Sequence, residues 1–250
     1  MAIRAGRRRR PGGSAELVIG TYARYDIGRG RRTGAPEVVL AEGKSIPHLL
    51  GILRGLRRRG HGALLSRPTP EQSEALERAV RRGLPLRWLA EGRMARLDGP
   101  ISGAPVRGTV AVVTGGTADV PVAEEGAALL EALGVRVVRA YDVGVAGLHR
   151  LGRAVGRLER ARPSVYLVFA GREGALPTVV AGLVRAPVVG VPTSVGYGRC
   201  GRGEAALTAM LQSCAPLAVV NIDAAVPAAL FAVQLLTASR RAPRRRGTGF

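Results

Sequence analysis

After residue 108 the chain repeats one pattern five times. A short apolar run is followed by a loop rich in Gly, Thr, Ser or Asp, then by a longer stretch with helical periodicity. The apolar runs are 109–113, 136–140, 165–169, 188–191 and 219–222. Runs that are apolar throughout, rather than alternating, mark strands covered on both faces, as in parallel sheets. The stretches between them predict helices over 120–133, 146–161, 176–184, 203–211 and 227–236. The first is the best punctuated. Asp119 stands at its cap, Pro121 in its first turn, Glu124 and Glu125 near its positive end, and Gly134 stops it. Repeated strand–helix units predict an α/β fold, a five-stranded parallel doubly wound sheet of flavodoxin or Rossmann type.

The pattern upstream is shorter. Residues 36–40, 63–66 and 86–95 read as strands, and 46–59 and 69–81 as helices. Leu49, Leu50, Leu53 and Leu56 share one helix face; Thr69 and Pro70 make a cap followed by a first-position proline. The expected division is a small N-terminal α/β unit over 21–97, entered by a polar loop at 22–32. A Gly/Pro-bearing linker over 98–107 and a main domain over 108–238 follow. Residues 1–20 and 239–250 are basic and expected to be disordered tails.

Charge changes the picture less than its size suggests. The formal net charge is +20, but Lys44 is the only lysine and much of the excess sits in Arg7–Arg10, Arg57–Arg59 and the C-terminal arginines. Aromatic residues make up 4% of the chain and do not interleave with these runs, so a nucleic-acid surface is not expected, whereas anionic small substrates are. Two cysteines, Cys200 and Cys214, make no disulfide framework and no metal-spaced cluster. The N-terminal arginines lead into no apolar segment, and no apolar run reaches membrane-spanning length, so a cytoplasmic protein is expected.

In doubly wound sheets ligands sit at the C-terminal ends of the strands. Here those ends carry, in order, Thr114-Gly-Gly-Thr117-Ala-Asp119, then Tyr141 to Arg150 with His149. Next come Gly171 and Glu173, then Thr193-Ser194-Val-Gly-Tyr197, and Asp223 after the last strand. Glycines allow close backbone approach, while hydroxyls and helix N-termini suit phosphate and ribose. His149 and Glu173 can move protons. Cys214 lies between a helix-ending Pro216 and the preceding helical stretch, where a thiol can serve as a nucleophile or simply pack.

Taken together these phrases resemble the LarB family, carboxylase/hydrolases of nickel-pincer nucleotide cofactor synthesis, which in turn resemble class I phosphoribosylaminoimidazole carboxylases. The resemblance is carried by Gly116-Thr-Ala-Asp-Val-Pro-Val-Ala-Glu-Glu125, Asp142-Val-Gly-Val-Ala-Gly-Leu-His-Arg-Leu151, Glu173-Gly-Ala-Leu-Pro177, Val191-Pro-Thr-Ser-Val-Gly-Tyr-Gly198, and Ser213-Cys-Ala-Pro216 with Val220-Asn-Ile-Asp223. Upstream it extends through Arg32, Pro36-Glu37 and Glu42-Gly-Lys44. It implies carboxylation of the pyridinium ring of nicotinic acid adenine dinucleotide by CO2 or bicarbonate, and hydrolysis of its phosphoanhydride to release AMP. Cys214 matches the family's nucleophile, and Glu173 or His149 would take the ring proton. Thr117, Asp119, Gly171, Thr193, Ser194 and Tyr197 would hold the nucleotide, and Arg32 and Lys44 a carboxylate or phosphate. Mg2+ is implied as the metal, with Asp119 or Asp223 as ligand, and no organic cofactor. A homo-oligomer, an octamer, is implied as well.

The chain departs from the family pattern at Ala224-Ala-Val-Pro-Ala228, where an Asn-Gly-Phe-Gly-like segment is usual, and at Arg199-Cys200-Gly-Arg202. The competing expectations are an aminoimidazole-ribonucleotide carboxylase or mutase, whose already nucleophilic ring needs no cysteine, and a basic non-enzymatic protein that binds without turnover.

Overall fold

The structure, a computed structural model, describes residues 16–241 apart from 91, 92, 197 and 200, and leaves the side chains of 240 and 241 undescribed. In the first part of the chain, β1 (Glu16–Ile19) and β2 (Ala23–Asp26) form an antiparallel hairpin leading to α1 (Arg29–Thr33). Then follow β3 (Val38–Leu40), α2 (Ile46–Arg58), β4 (Ala63–Ser66), α3 (Pro70–Arg81), β5 (Leu86–Ala90) and β6 (Met94–Leu97). The second part has β7 (Thr109–Thr114), α4 (Val120–Ala132), β8 (Arg136–Ala140), α5 (Leu148–Glu159), β9 (Val165–Ala170), α6 (Ala175–Ala181), β10 (Val188–Pro192), α7 (Glu204–Leu211), β11 (Ala218–Val219) and α8 (Ala225–Arg241).

The second part forms one parallel sheet in the order β11-β10-β9-β7-β8. Its central strand, β9, shows why an apolar sequence is needed throughout. In β9 every residue is buried, Val165, Leu167 and Phe169 on one face and Tyr166, Val168 and Ala170 on the other. The twofold alternation of a strand therefore feeds two separate cores. Burying Phe169 alone contributes about 1.5–3 kcal/mol.

One core lies under α5, α6 and α7. The other lies under α4 and α8 and continues through them to Leu64, Ala90 and Met94 of the N-terminal unit. That unit's sheet, ordered β3-β4-β6-β5, places Ala63, Leu65, Ala95 and Leu97 against α2 and α3 on its far face. The two parts thus share a helical layer, and the N-terminal sheet depends on α4 to cover one of its faces.

Several expectations are corrected. The proposed disordered segment 1–20 and polar loop 22–32 contain β1, β2 and α1, because Leu17, Ile19 and Tyr25 alternate with outward-facing residues and are buried. The single strand expected at 86–95 is two strands, β5 and β6, paired antiparallel. The stretch 98–107 is no free tether: Ile101 and Val106 are in the core, and Val106 N–H donates to Leu133 O at 2.7 Å. The final strand pairs over two residues only, and α8 runs on to Arg241, into the region expected to be a tail. Residues 1–15 and 242–250 lie outside the described residues. No described helix is long and apolar enough to cross a membrane.

Candidate active site

The C-terminal ends of β7, β8, β9 and β10 converge on a cleft of about 530 Å³. Its floor is backbone from Gly115, Gly116, Gly144 and Gly171, with Glu173 and Asp119 as its carboxylates. The glycines are there for space. A Cβ on Gly171 would lie 2.1 Å from Val195 O and 2.4 Å from Thr193 Oγ1, so the loops after β9 and β10 approach only because that position has no side chain. Likewise a Cβ on Gly144 would lie 2.7 Å from Gly115 O.

Asp119 is buried at the entry to α4 and uses both oxygens inside the chain. Oδ2 accepts from Gly116 N–H at 2.8 Å, and Oδ1 accepts the Thr193 hydroxyl hydrogen at 2.6 Å. Burial raises its pKa above the ordinary carboxylate value. The two hydrogen bonds oppose that rise, and the nearby charges of Asp223 and Glu173 add to it.

Asp223, in the left-handed region with φ 56°, fastens the corner between β11 and α8 to the loop after β10. Its Oδ1 accepts from Ser194 N–H at 2.9 Å, and its own N–H donates to Pro192 O at 2.8 Å. Its carbonyl accepts a hydrogen bond from Arg67 of the N-terminal unit. Arg67 also faces Glu125 of α4, at 3.4 Å, and Arg93 reaches the same carboxylate at 3.3 Å. The Glu125 side chain is fully buried, and burial raises its pKa while the two guanidiniums pull it back. A buried carboxylate needs such partners. Arg67 therefore links the N-terminal unit to a loop at the rim of the cleft.

The sequence-derived candidates divide into two groups. Glu173, Gly171 and Asp119 line the cleft. Thr193 lies buried beside it, with its hydroxyl turned to Asp119 and not to a ligand. Ser194 is exposed and contributes its backbone N–H to Asp223. Thr117 is exposed in the 3-10 turn before α4 and does not line the cleft. His149 is exposed in the first turn of α5, beside the cleft-lining segment Gly144–Ala146 but not in the lining itself. Arg32 forms an ion pair with Asp26, and Lys44 donates to Leu40 O at 2.7 Å; neither lines the cleft. Tyr197 lies outside the described residues.

Two expectations fare differently from the rest. Cys214 is a free, exposed thiol in the segment leading from α7 back into β11. A residue that precedes a parallel strand lies at the N-terminal edge of the sheet, and the cleft opens at the other edge. Within one chain, Cys214 is not in the cleft. The proposed metal ligands are partly engaged within the chain. Asp119 accepts one hydrogen bond on each oxygen and Asp223 accepts one on Oδ1, which leaves each carboxylate lone pairs that Mg2+ could take. Among the described residues no three His, Cys, Asp or Glu side chains are grouped to hold an ion.

Sequence reasoning missed Arg67, Arg93 and the inward role of Glu125. The available signal was Glu125 itself, a carboxylate followed by Gly126, Ala127 and Ala128 on a helix whose small residues promise close packing.

Comparison with known proteins follows the same two-part division. A family described as AIR carboxylase matches residues 109–246, and one described as LarB/PurE-like N-terminal domain matches residues 17–98. An uncharacterised protein of Methanocaldococcus jannaschii is 38% identical over 219 residues, covering 84% of this chain and 82% of that protein. An N5-carboxyaminoimidazole ribonucleotide mutase of Pyrococcus horikoshii is 34% identical over 133 residues, 51% of this chain and 71% of that enzyme. A phosphoribosylaminoimidazole carboxylase of Saccharomyces cerevisiae is 31% identical over 141 residues, 54% of this chain and 24% of that enzyme.

Proposed function

Because the chain belongs to the LarB family, related to the AIR carboxylases, we propose that it carboxylates the pyridinium ring of nicotinic acid adenine dinucleotide and hydrolyses the phosphoanhydride to release AMP. The observation that carries this reading is the pairing of a LarB-type N-terminal unit with an AIR-carboxylase-type domain whose glycine-floored cleft holds Glu173.

The chemistry explains the residues. A pyridinium ring is electron-poor and does not attack CO2. Addition of the Cys214 thiolate beside the target carbon turns the ring into a neutral enamine. The enamine carbon then attacks CO2, forming the carbon–carbon bond and restoring positive charge to the ring nitrogen. Glu173 takes the proton from the newly carboxylated carbon, and expulsion of the thiolate returns the aromatic ring. Hydrolysis adds water to one phosphorus and breaks its bond to the bridging oxygen, with AMP as leaving group. The entry to α4 offers backbone N–H groups to the phosphate, those of Gly115 and Gly116 being engaged by Phe169 O and Asp119. Since Cys214 is at the opposite edge of its own sheet from the cleft, this reading includes a homo-oligomer in which a second copy brings Cys214 to the cleft.

The test is incubation of the purified protein with the dinucleotide and 13C-bicarbonate, with and without Mg2+, followed by mass spectrometry. The expected products are labelled pyridinium biscarboxylate mononucleotide and AMP, with the label absent in Cys214→Ala. Labelled product from Cys214→Ala at the wild-type rate would overturn the adduct.

A second reading is favoured by one feature, namely a cleft that within a single chain contains Glu173 and, among the described residues, no cysteine. Aminoimidazole ribonucleotide is already nucleophilic and would need only such a cleft. Conversion of carboxyaminoimidazole ribonucleotide, unaffected by Cys214→Ala, would select it.

A further inference from the structure

A second concavity adjoins the cleft. The segment joining β8 to α5 contributes Gly144, Val145 and Ala146 to the cleft and Asp142 and Val143 to a groove of about 620 Å³ on the other side. The groove's long wall is α5. Arg153, Arg157 and Arg160 line it, spaced four and three residues apart and so on one helix face. From Arg153 to Arg160 the helix advances about 10 Å. All three are exposed, and among the described residues none of their side chains has a hydrogen bond or ion pair. Arg150, at the cleft end of the row, is partly neutralised by Asp142 at 3.3 Å.

Gly156 lies in the same wall. Glycine inside a helix is unfavourable, and it is justified where something must approach the backbone closely. Yet a Cβ on Gly156 would meet nothing within 4 Å. The helix leaves space there that this chain does not fill, flanked by three cations that this chain does not neutralise.

We propose that this groove is the binding site for the phosphate-bearing adenylate half of a dinucleotide whose reacting half lies in the adjoining cleft. This inference extends the function proposed above and rests on it for the identity of the reacting half. The binding site itself is a statement about the groove alone. Arg153, the nearest of the three to the cleft, meets the phosphate; Arg157 and Arg160 extend the positive wall along the nucleoside, and Gly156 lets it lie against the helix. A short run of three arginines suits one or two phosphates. A nucleic-acid strand would call for a longer track and for stacking aromatics, and among the described residues Tyr141 is the only aromatic one in the lining.

The experiment is titration of the full chain with AMP by calorimetry at fixed moderate salt, for the wild type, Arg153→Gln, Arg157→Gln, the double variant, and Arg81→Gln on α3 as a charge-matched control. Roughly tenfold weaker AMP binding is expected for Arg153→Gln, from loss of a charge-assisted hydrogen bond to the phosphate, and a smaller weakening for Arg157→Gln, from loss of a nearby positive charge. Unchanged binding is expected for Arg81→Gln. Equal AMP affinity in the wild type and the double variant overturns the proposal. So does a groove variant that alters the oligomeric state while leaving AMP affinity intact, which would assign the groove to a second copy of the chain. Tighter, steeply salt-dependent binding of a single-stranded oligonucleotide, lost in the same variants, would assign it to nucleic acid and overturn the proposal as well. Because AMP binding is read without turnover, a protein that binds AMP through these arginines but fails to carboxylate the dinucleotide would refute the proposed reaction and leave the groove assignment standing.

Discussion

Thr193 gives its hydroxyl hydrogen to Asp119 across 2.6 Å, tying the loop after β10 to the loop after β7 over the end of β9. The bond is buried, so its loss would not be made good by water. Thr193→Val keeps the shape but leaves Asp119 Oδ1 without a donor, and stability should fall by about 1–3 kcal/mol. Chemical denaturation at pH 7 measures this, and Thr193→Ser should recover most of the loss.

The same carboxylate predicts a pH dependence. Its folded pKa is raised above the ordinary 3.8, chiefly by burial, so the folded state holds the Asp119 proton more tightly than the unfolded state does. Its contribution to stability is therefore fully present below pH 3.8 and is lost as pH rises through the folded value. Glu125 is shifted in the same direction and adds to the slope. Asp119→Asn should flatten the fall in stability above pH 3.8 by the Asp119 share. Urea midpoints at several pH values, for wild type and variant in parallel, would show a steeper wild-type slope. Parallel lines would contradict the assignment.

Arg67 has one guanidinium and two obligations, the buried Glu125 carboxylate and the carbonyl of Asp223. Arg67→Met removes both, leaving Glu125 with Arg93 alone, and should cost about 3 kcal/mol. Glu125→Leu combined with Arg67→Met should cost clearly less than the sum of the single changes, because the uncompensated charge is gone. If the Asp223 contact matters to the cleft, Arg67→Met will also raise KM more than Glu125→Leu does. The stability cycle and the KM comparison separate a clamp between units from a positioning residue for the loop.

Most of the sheet was legible because β7, β9 and β10 are buried on both faces and are apolar apart from Thr109 and Thr114 at the ends of β7. Asp119 and Gly171 were legible as members of strand-end loops, although not in their roles: the close approach of Gly171 to Val195 depends on a neighbouring loop that local sequence does not specify. β11 was overread at 219–222, since it is an edge strand with one partner and its chain turns away at Asn221 and Asp223. Cys214 was legible in position and not in role. Its place after a helix and before a strand puts it at the N-terminal edge of a parallel sheet, whereas its assignment as nucleophile came from the family resemblance alone. The ion pairs of Glu125 were beyond sequence reasoning, as both arginines come from the other unit.

That position of Cys214 makes a prediction about assembly. If a second copy supplies the thiol, Cys214→Ala and Glu173→Gln disable different chains of a shared site. Each alone should lower carboxylation, Glu173→Gln by about 10²–10⁴-fold as for a lost general base. Mixing the two under conditions that exchange subunits should restore activity, because some sites then pair an intact cleft with an intact thiol. Absence of recovery, with exchange verified by mass spectrometry of the mixed oligomer, would place the thiol and the carboxylate in one chain's site or remove the thiol from the mechanism.

Gly156 separates a structural glycine from a ligand-facing one. Nothing in the chain lies within 4 Å of where its Cβ would be, and its backbone is helical, so Gly156→Ala meets no steric obstacle in the folded chain. The substitution should stabilise the protein by about 0.5–1 kcal/mol, the usual gain in a helix interior. A glycine kept only by chance would allow that gain with no other consequence. If the groove seats a nucleotide against this turn of α5, the added methyl group should weaken AMP binding even as the melting temperature rises. Thermal denaturation and AMP titration on the same preparation read the two effects, and a bulkier Gly156→Leu should widen the gap between them. A rise in melting temperature with AMP affinity unchanged in both variants would show that the nucleotide does not approach the helix at this position.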